Sequence, residues 1–220
     1  MIDKKILDFL NELSNNNSKS WFDENRKRYE SCKDSFKIFV DEIINEVSQF
    51  DENIKGLTYQ NCVFRINRDV RFSKDKSPYK TNFGVSLQKG GKKTLYASYY
   101  LHFQPNGNCF IAGGLYAPTN DILAKIRQEI DYNFTDFQKI IQNPTFVSYF
   151  GDLRGDKLVK APKGYEIDNP AIEFLKMKSL IAWHVIPDDN VVLKENFIQY
   201  ACEVCKAMQP FLDFVNVIFD

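Results

Sequence analysis

Apolar residues recur at three- and four-residue steps through the N-terminal part of the chain, and the period then changes to two. Ile6, Leu7, Phe9, Leu10 and Leu13 share one helical face, which predicts a short helix over residues 3–13 broken by Asn15-Asn16-Asn17. Trp21, Phe22, Tyr29, Cys32, Phe36, Phe39, Val40, Ile43 and Val47 keep the helical spacing. They predict a long amphipathic helix over about 20–49, opened by a Ser20/Asp23 capping box and bent near Asp34-Ser35. Strands are expected at 60–66, 83–89, 94–103 and 108–116. In the third, Leu95, Ala97, Tyr99, Leu101 and Phe103 alternate with Tyr96, Ser98, Tyr100 and His102. Gly90-Gly91 and Pro105-Asn106-Gly107 punctuate the last three strands, which makes them an antiparallel meander. Thr119 or Asn120 caps a helix over about 121–132, two shorter helical stretches follow, and 151–171 reads as a loop rich in Gly, Pro and Asp. A fifth strand at 179–186 precedes a C-terminal helix over about 194–218, with a kink expected at Pro210. The pattern is α+β: an antiparallel sheet of about five strands with N- and C-terminal helices packed on one face, in one domain spanning 1–220.

Composition changes this picture little. Hydrophobic residues make up 44% of the chain and charged residues 26%, ordinary values for a globular protein, while 19 Phe and 11 Tyr supply large rings for a core. The 29 basic and 29 acidic residues balance, so bulk attraction to nucleic acid or an anionic membrane is not expected. MIDKKILDFLNEL is charged and amphipathic, unlike a signal peptide, and no apolar run is long enough for a membrane span. Cysteines at 32, 62, 109, 202 and 205 are odd in number and scattered. A reducing, cytoplasmic setting is therefore expected, without a membrane partner.

Charge distribution matters more. Residues 65–80, RINRDVRFSKDKSPYK, carry Arg65, Arg68, Arg71, Lys74, Lys76 and Lys80 against Asp69 and Asp75, about +4 within a neutral chain. Two like charges at roughly 6 Å repel by about 3 kcal/mol at an effective dielectric of about 20, so such a run needs carboxylates or a bound anion. The ordinary reading is a solvated, salt-bridged loop. Its apolar neighbours Phe64, Ile66, Val70 and Phe72 favour a held structure instead. If Phe64 and Ile66 face the core, Arg65 and Asn67 face away from it. A second stretch, GDLRGDKLVKAPKGY at 151–165, adds Arg154, Lys157, Lys160 and Lys163 between glycines, and its ordinary reading is again a surface loop.

Other motifs carry less. Two histidines exclude a His-rich metal site, and His184, between Trp183 and Val185, reads as structural. Cys202 and Cys205 form C-x-x-C inside an amphipathic helix without a second pair of ligands, so no metal or cofactor is expected there. QKGGKKT at 88–94 lacks the spacing and context of a phosphate-binding loop and reads as a hairpin turn.

The blocks SWFDENRKRYE at 20–30, FRINRDVRFSKDKSPYKTNFG at 64–84, YYLHFQP at 99–105, AGGLYAP at 112–118 and GDKLVKAPKGY at 155–165 occur together. In these blocks, and nearly end to end, the chain resembles the domain-of-unknown-function 2461 family, a group of conserved hypothetical proteins of bacteria and fungi. The resemblance implies a single-domain protein and no assigned reaction.

The residues themselves point to an anionic small molecule, such as a phosphorylated one, in a basic cleft. Arg65, Arg68 and Arg71 would clamp the anion, and Lys76, Lys80 and Lys157 would add charge. Tyr100 and His102 would orient the ligand. Hydrolysis or group transfer would be compatible with this, and His102 is the candidate acid or base. Asp69 and Asp75 are poorer bases, because neighbouring cations hold them ionised. The alternatives are a nucleic-acid-binding module, in which Phe72, Tyr79 and Phe83 stack bases, and an interaction domain for an acidic partner.

Overall fold

The computed structural model describes residues 1–219. Asp3 caps the first helix, α1 (Lys4–Asn15), by accepting from the Lys5 amide. Ser18, rather than Ser20, caps the next by accepting from the Trp21 amide. The long helix expected over 20–49 divides at Asn25 into α2 (Lys19–Glu24) and α3 (Arg26–Val47), and α3 runs unbroken past Asp34 and Ser35. The Asn25 side chain donates to the Trp21 carbonyl at 2.9 Å, and such a local side-chain bond competes with helix continuation.

The strand expected at 60–66 is not formed. Tyr59–Cys62 is instead a helical turn, α4, because the Thr58 amide donates to Asn61 Oδ1 at 2.6 Å in a capping box. Only Val63 retains extended pairing, as an isolated antiparallel bridge to Val85. The sheet therefore has four strands among the described residues: β1 (Phe83–Leu87), β2 (Ser98–Phe103), β3 (Cys109–Leu115) and β4 (Leu180–Ile186). They lie side by side in sequence order, and the class is α+β. Between β3 and β4 come α5 (Asn120–Tyr132), capped by Thr119, then α6 (Phe134–Ile141), α7 (Pro144–Phe150) and α8 (Ile172–Leu175). The last helix, α9 (Phe197–Asn216), continues through Pro210. Short bridges, Val63 to Val85 and Arg154 to Ile181, occupy part of the outer edges of β1 and β4.

Two compact units divide the chain. The first comprises Met1–Lys93, Tyr100–Ile111 and Val185–Glu203. Its core is aromatic: Phe36 and Phe39 of α3 meet Phe103 of β2 edge-on at 5.7 and 5.3 Å, and Phe36 lies 5.0 Å from Phe83. Phe197 in the first turn of α9 closes the cluster, 6.0 Å from both Phe39 and Phe103. Each such ring, fully buried, contributes roughly 1.5–3 kcal/mol, so the Phe-rich composition is spent here.

The second unit comprises Thr94–Tyr99, Ala112–His184 and the chain from Val204. Gly113 of β3 is required by close approach. A Cβ there would fall 2.2 Å from Met208 Sδ and 2.5 Å from the Ser98 carbonyl, so only glycine lets α9 settle on the strand. Phe137 packs on Phe214 at 5.1 Å and Phe146 on Phe211 at 5.8 Å. Arg127 holds the end of α8 by donating to the Leu175 carbonyl at 2.7 Å.

Candidate functional site

Residues 65–80 form a loop of the first unit that is closed at its base by a narrow neck. Arg68 N donates to the Pro78 carbonyl at 2.9 Å and Lys80 N to the Ile66 carbonyl at 2.8 Å, on either side of an antiparallel Asn67–Tyr79 bridge. Tyr79 is buried and stacks on Phe22, with ring centroids 4.0 Å apart and planes at 15°. Asn17 completes the neck. Its Oδ1 accepts from Tyr79 N at 3.1 Å and its Nδ2 donates to the Tyr79 carbonyl at 2.9 Å, as a neighbouring strand would.

Beyond the neck the loop is built around Arg68. Its guanidinium donates to the Asp75 carboxylate, to the Ser77 carbonyl at 3.1 Å and to Ser73 Oγ at 3.3 Å. Asp75 Oδ1 also accepts from Ser77 N at 2.9 Å and Ser77 Oγ at 2.7 Å. These bonds from Ser77, then the bond from Arg68, draw the Asp75 pKa down to about 2. Arg71, with its side chain 76% exposed, forks onto Asp69 through Nε at 2.9 Å and Nη2 at 2.6 Å. Lys76 Nζ donates to the Val70 carbonyl at 3.0 Å. Arg68 and Arg71 thus each hold one of the loop's own two carboxylates. The residual charge of about +4 falls on Arg65, Lys74, Lys76 and Lys80.

Of these four, Arg65 and Lys80 act directly on one another. Arg65 is exposed and has no ion-pair partner among the described residues. Lys80 has its Nζ 5.3 Å from the Phe64 ring, and its pKa is lowered by burial and then by repulsion from Arg65. Phe64 itself is not in the core. It is 40% exposed and meets Tyr100 of β2 at 6.1 Å in a T-shaped contact. The parity expected from Phe64 and Ile66 fails because pairing with β1 ends at the Val63 bridge and the Phe64 amide bond to Gly84, and only Ile66 turns inward.

Tyr100 and His102 stand on the face of β2 opposite the buried Tyr99, Leu101 and Phe103. The Tyr100 hydroxyl lies 3.0 Å from His102 Nδ1, Asn82 Nδ2 lies 3.4 Å from the same nitrogen, and His102 Nε2 lies 3.0 Å from Gln104 Oε1. Oε1 can only accept, so Nε2 carries the proton and Nδ1 accepts from the phenol. This network assigns a neutral imidazole. Burial lowers the His102 pKa, against the opposing Gln104 bond, and pushes Tyr100 up to about 12. The imidazole stacks on Phe110 of β3 at 4.4 Å and 11°. Gly84 of β1 makes room for the phenol, since a Cβ there would be 2.5 Å from the Tyr100 hydroxyl. Both ring nitrogens of His102 are thus engaged, Nδ1 by Tyr100 and Asn82 and Nε2 by Gln104.

A match of the family model described as conserved hypothetical protein (DUF2461) covers residues 5–214. The chain belongs to the DUF2461 family. Neither a curated protein nor a solved structure matches it. The charged and aromatic residues of the basic loop and of β2 and β3 described above lie inside the matched span.

Other candidate residues of this DUF2461 chain are placed elsewhere. Lys157 belongs to the second unit, where it pairs with Glu173 at 2.9 Å and bridges Met177 through its backbone. Arg154 of the same loop lies over the Trp183 ring at 5.4 Å. His184 Nδ1 bonds to the Tyr149 carbonyl at 2.9 Å. Among the described residues no group of carboxylates, histidines and cysteines is arranged to hold a metal, and no helix is long and apolar enough to cross a membrane. An open groove between α1 and α3, lined by Lys5, Asp8, Glu12 and Arg28, shares no residue with the basic segment. Sequence reading missed Asn17, Asn82, Gln104 and Phe110. Gln104 alone had a signal, since it continues the Tyr100, His102 alternation.

Proposed function

We propose that the first unit binds a small anionic molecule, of the phosphorylated kind, at Arg65 and Lys80. The observation that carries this reading is the juxtaposition of two cations that repel one another and have no carboxylate within ion-pair distance among the described residues, in a segment whose other arginines are paired. Asp69, held by Arg71, attracts Arg65 only at longer range. A bound anion would remove that repulsion and raise the lowered pKa of Lys80. Arg65 offers a fork and Lys80 a point charge, a combination suited to a phosphate or carboxylate. Phe64, Tyr100 and the neutral Asn82–His102–Gln104 network form a wall beside them. Charge-assisted hydrogen bonds contribute roughly 1.5–3 kcal/mol each. Three or four of them, less the cost of immobilising the ligand, give micromolar to millimolar affinity. This is a reading of binding, and Arg68 enters it as the residue that shapes the loop. A reducing, cytoplasmic setting suits five buried cysteines.

One observation favours nucleic acid as a second reading: Phe72 is 97% exposed at the loop tip, with the Arg71 guanidinium 5.9 Å from its ring. A thermal-shift screen at two salt concentrations tests both. Phosphate esters should raise the melting temperature with the logarithm of their concentration, and Arg65→Gln with Lys80→Gln should abolish the response while Arg71→Gln keeps it. A response that survives the double substitution refutes the anion site. Strong, steeply salt-dependent binding of oligonucleotides alone would select the second reading.

A further inference from the structure

Next to Arg65 and Lys80 the first unit places a chain of rings in mutual contact. Lys80 Nζ lies 5.3 Å from the Phe64 centroid, Phe64 meets Tyr100 at 6.1 Å, Tyr100 meets Phe110 at 5.8 Å, and Phe110 is stacked on the neutral His102 at 4.4 Å. None of the four rings is fully buried, and Phe64, beside the cations, is exposed. An inorganic anion or a sugar phosphate has no use for such a row. A large ring left partly in water, beside a lysine that burial already disfavours, is stabilised when a second flat apolar surface covers it.

We infer that the ligand of this site is a monomeric phosphate ester bearing a planar aromatic or heteroaromatic ring, of the nucleoside monophosphate class. The inference rests on the anion-binding reading and specifies it. The phosphate pairs with Arg65 and Lys80, and the ring lies on Phe64. The amides of Asn82 and Gln104 already satisfy the network around His102, so the face offers stacking and shape more than base-specific hydrogen bonds. Discrimination among bases is therefore weak, while discrimination for a ring over no ring is strong.

Isothermal titration calorimetry on the full chain tests this with four probes: inorganic phosphate, ribose 5-phosphate, adenosine 5′-monophosphate and uridine 5′-monophosphate. Both nucleotides should bind about tenfold or more tightly than ribose 5-phosphate, and within a few-fold of each other. Phe64→Leu should remove the preference, so that the nucleotides bind no more tightly than ribose 5-phosphate does to the same variant. Phe64→Tyr, which keeps the ring, should restore it, and unchanged circular dichroism and melting temperature would establish that both variants are folded. Equal affinity for ribose 5-phosphate and the nucleotides overturns the ring inference and leaves the anion site standing. No binding of any probe overturns both. Single-stranded oligonucleotides that bind far more tightly than the monomers, with affinity falling steeply with salt, would replace the monomer by a polymer and overturn the proposed class.

Discussion

Asn17→Ala tests whether the basic loop is held at its base by one side chain. Asn17 makes two hydrogen bonds to the backbone of Tyr79, at 3.1 and 2.9 Å, across 62 positions of sequence. Tyr79 is buried, so truncation removes both bonds and leaves an N–H and a carbonyl to be satisfied by water reaching a closed site. A lost bond costs about 1 kcal/mol net, and a buried polar group left unsatisfied about 1–3 kcal/mol. With water relieving part of the second cost, the expected loss is about 3 kcal/mol, a large share of a typical stability of roughly 5–15 kcal/mol. For a chain of this size that lowers the melting temperature by roughly 6–12 °C. Urea denaturation should show a lower midpoint at unchanged slope, because the surface exposed on unfolding is the same. Hydrogen exchange at Arg68 and Lys80, whose amides close the neck, should accelerate beyond the global change. Asn17→Asp keeps the acceptor for Tyr79 N but sets a carboxylate oxygen against the Tyr79 carbonyl, so it should not rescue stability. An Asn17→Ala protein with wild-type midpoint and unchanged exchange at the neck would refute the reasoning.

Gly84→Ala drives a Cβ into the Tyr100 hydroxyl and should destabilise the protein by about 1–3 kcal/mol. Combining it with Tyr100→Phe should recover part of that loss, and strict additivity in a double-mutant cycle by urea denaturation would argue against the contact. The His102 pKa is lowered on folding, so the unfolded chain binds the extra proton first. Its contribution is complete above the unfolded value of 6.5 and is lost as pH falls below 6.5 through the folded value. His102→Gln should flatten the melting-temperature profile between about pH 7 and 5 relative to wild type, and parallel profiles would count against a neutral, engaged imidazole. All five cysteines are buried, and burial pushes the thiols of Cys32, Cys62 and Cys109 up to about 11. A thiol reagent at pH 8 should therefore react slowly with native protein and titrate five groups after denaturation, and a fast native phase would contradict this.

Local chemistry along the chain was enough to mark most of the helices and the four strands of the sheet. The three- and four-residue spacing of Phe36, Phe39, Val40 and Ile43 marks the face of α3 that packs on the sheet, and the alternation from Tyr99 to Phe103 marks the buried side of β2. Thr119 is a cap in sequence and in structure, and the blocks around residues 64–84 identify the family. These signals are legible because burial imposes a period on neighbouring residues, whatever lies opposite them. Tertiary structure decided the rest. Residues 60–66 are apolar enough for a strand, yet the Thr58–Asn61 box closes a helical turn and sends Phe64 out against Tyr100. The charge run was visible as a sum, whereas its partition was not. Arg68 and Arg71 take Asp75 and Asp69, and Arg65 and Lys80 are left without an ion pair among the described residues, because the loop's fold fixes which oxygen each guanidinium can reach. Asn17 reads as one of three helix-breaking asparagines until Tyr79 arrives beside it. Pairings across 20 or 62 residues, such as Asn82 with His102 or Asn17 with Tyr79, leave no period in the sequence. They exist only once packed elements set two distant backbones at hydrogen-bonding distance, where directional bonds of about 3 Å discriminate between registers that hydrophobic burial treats alike.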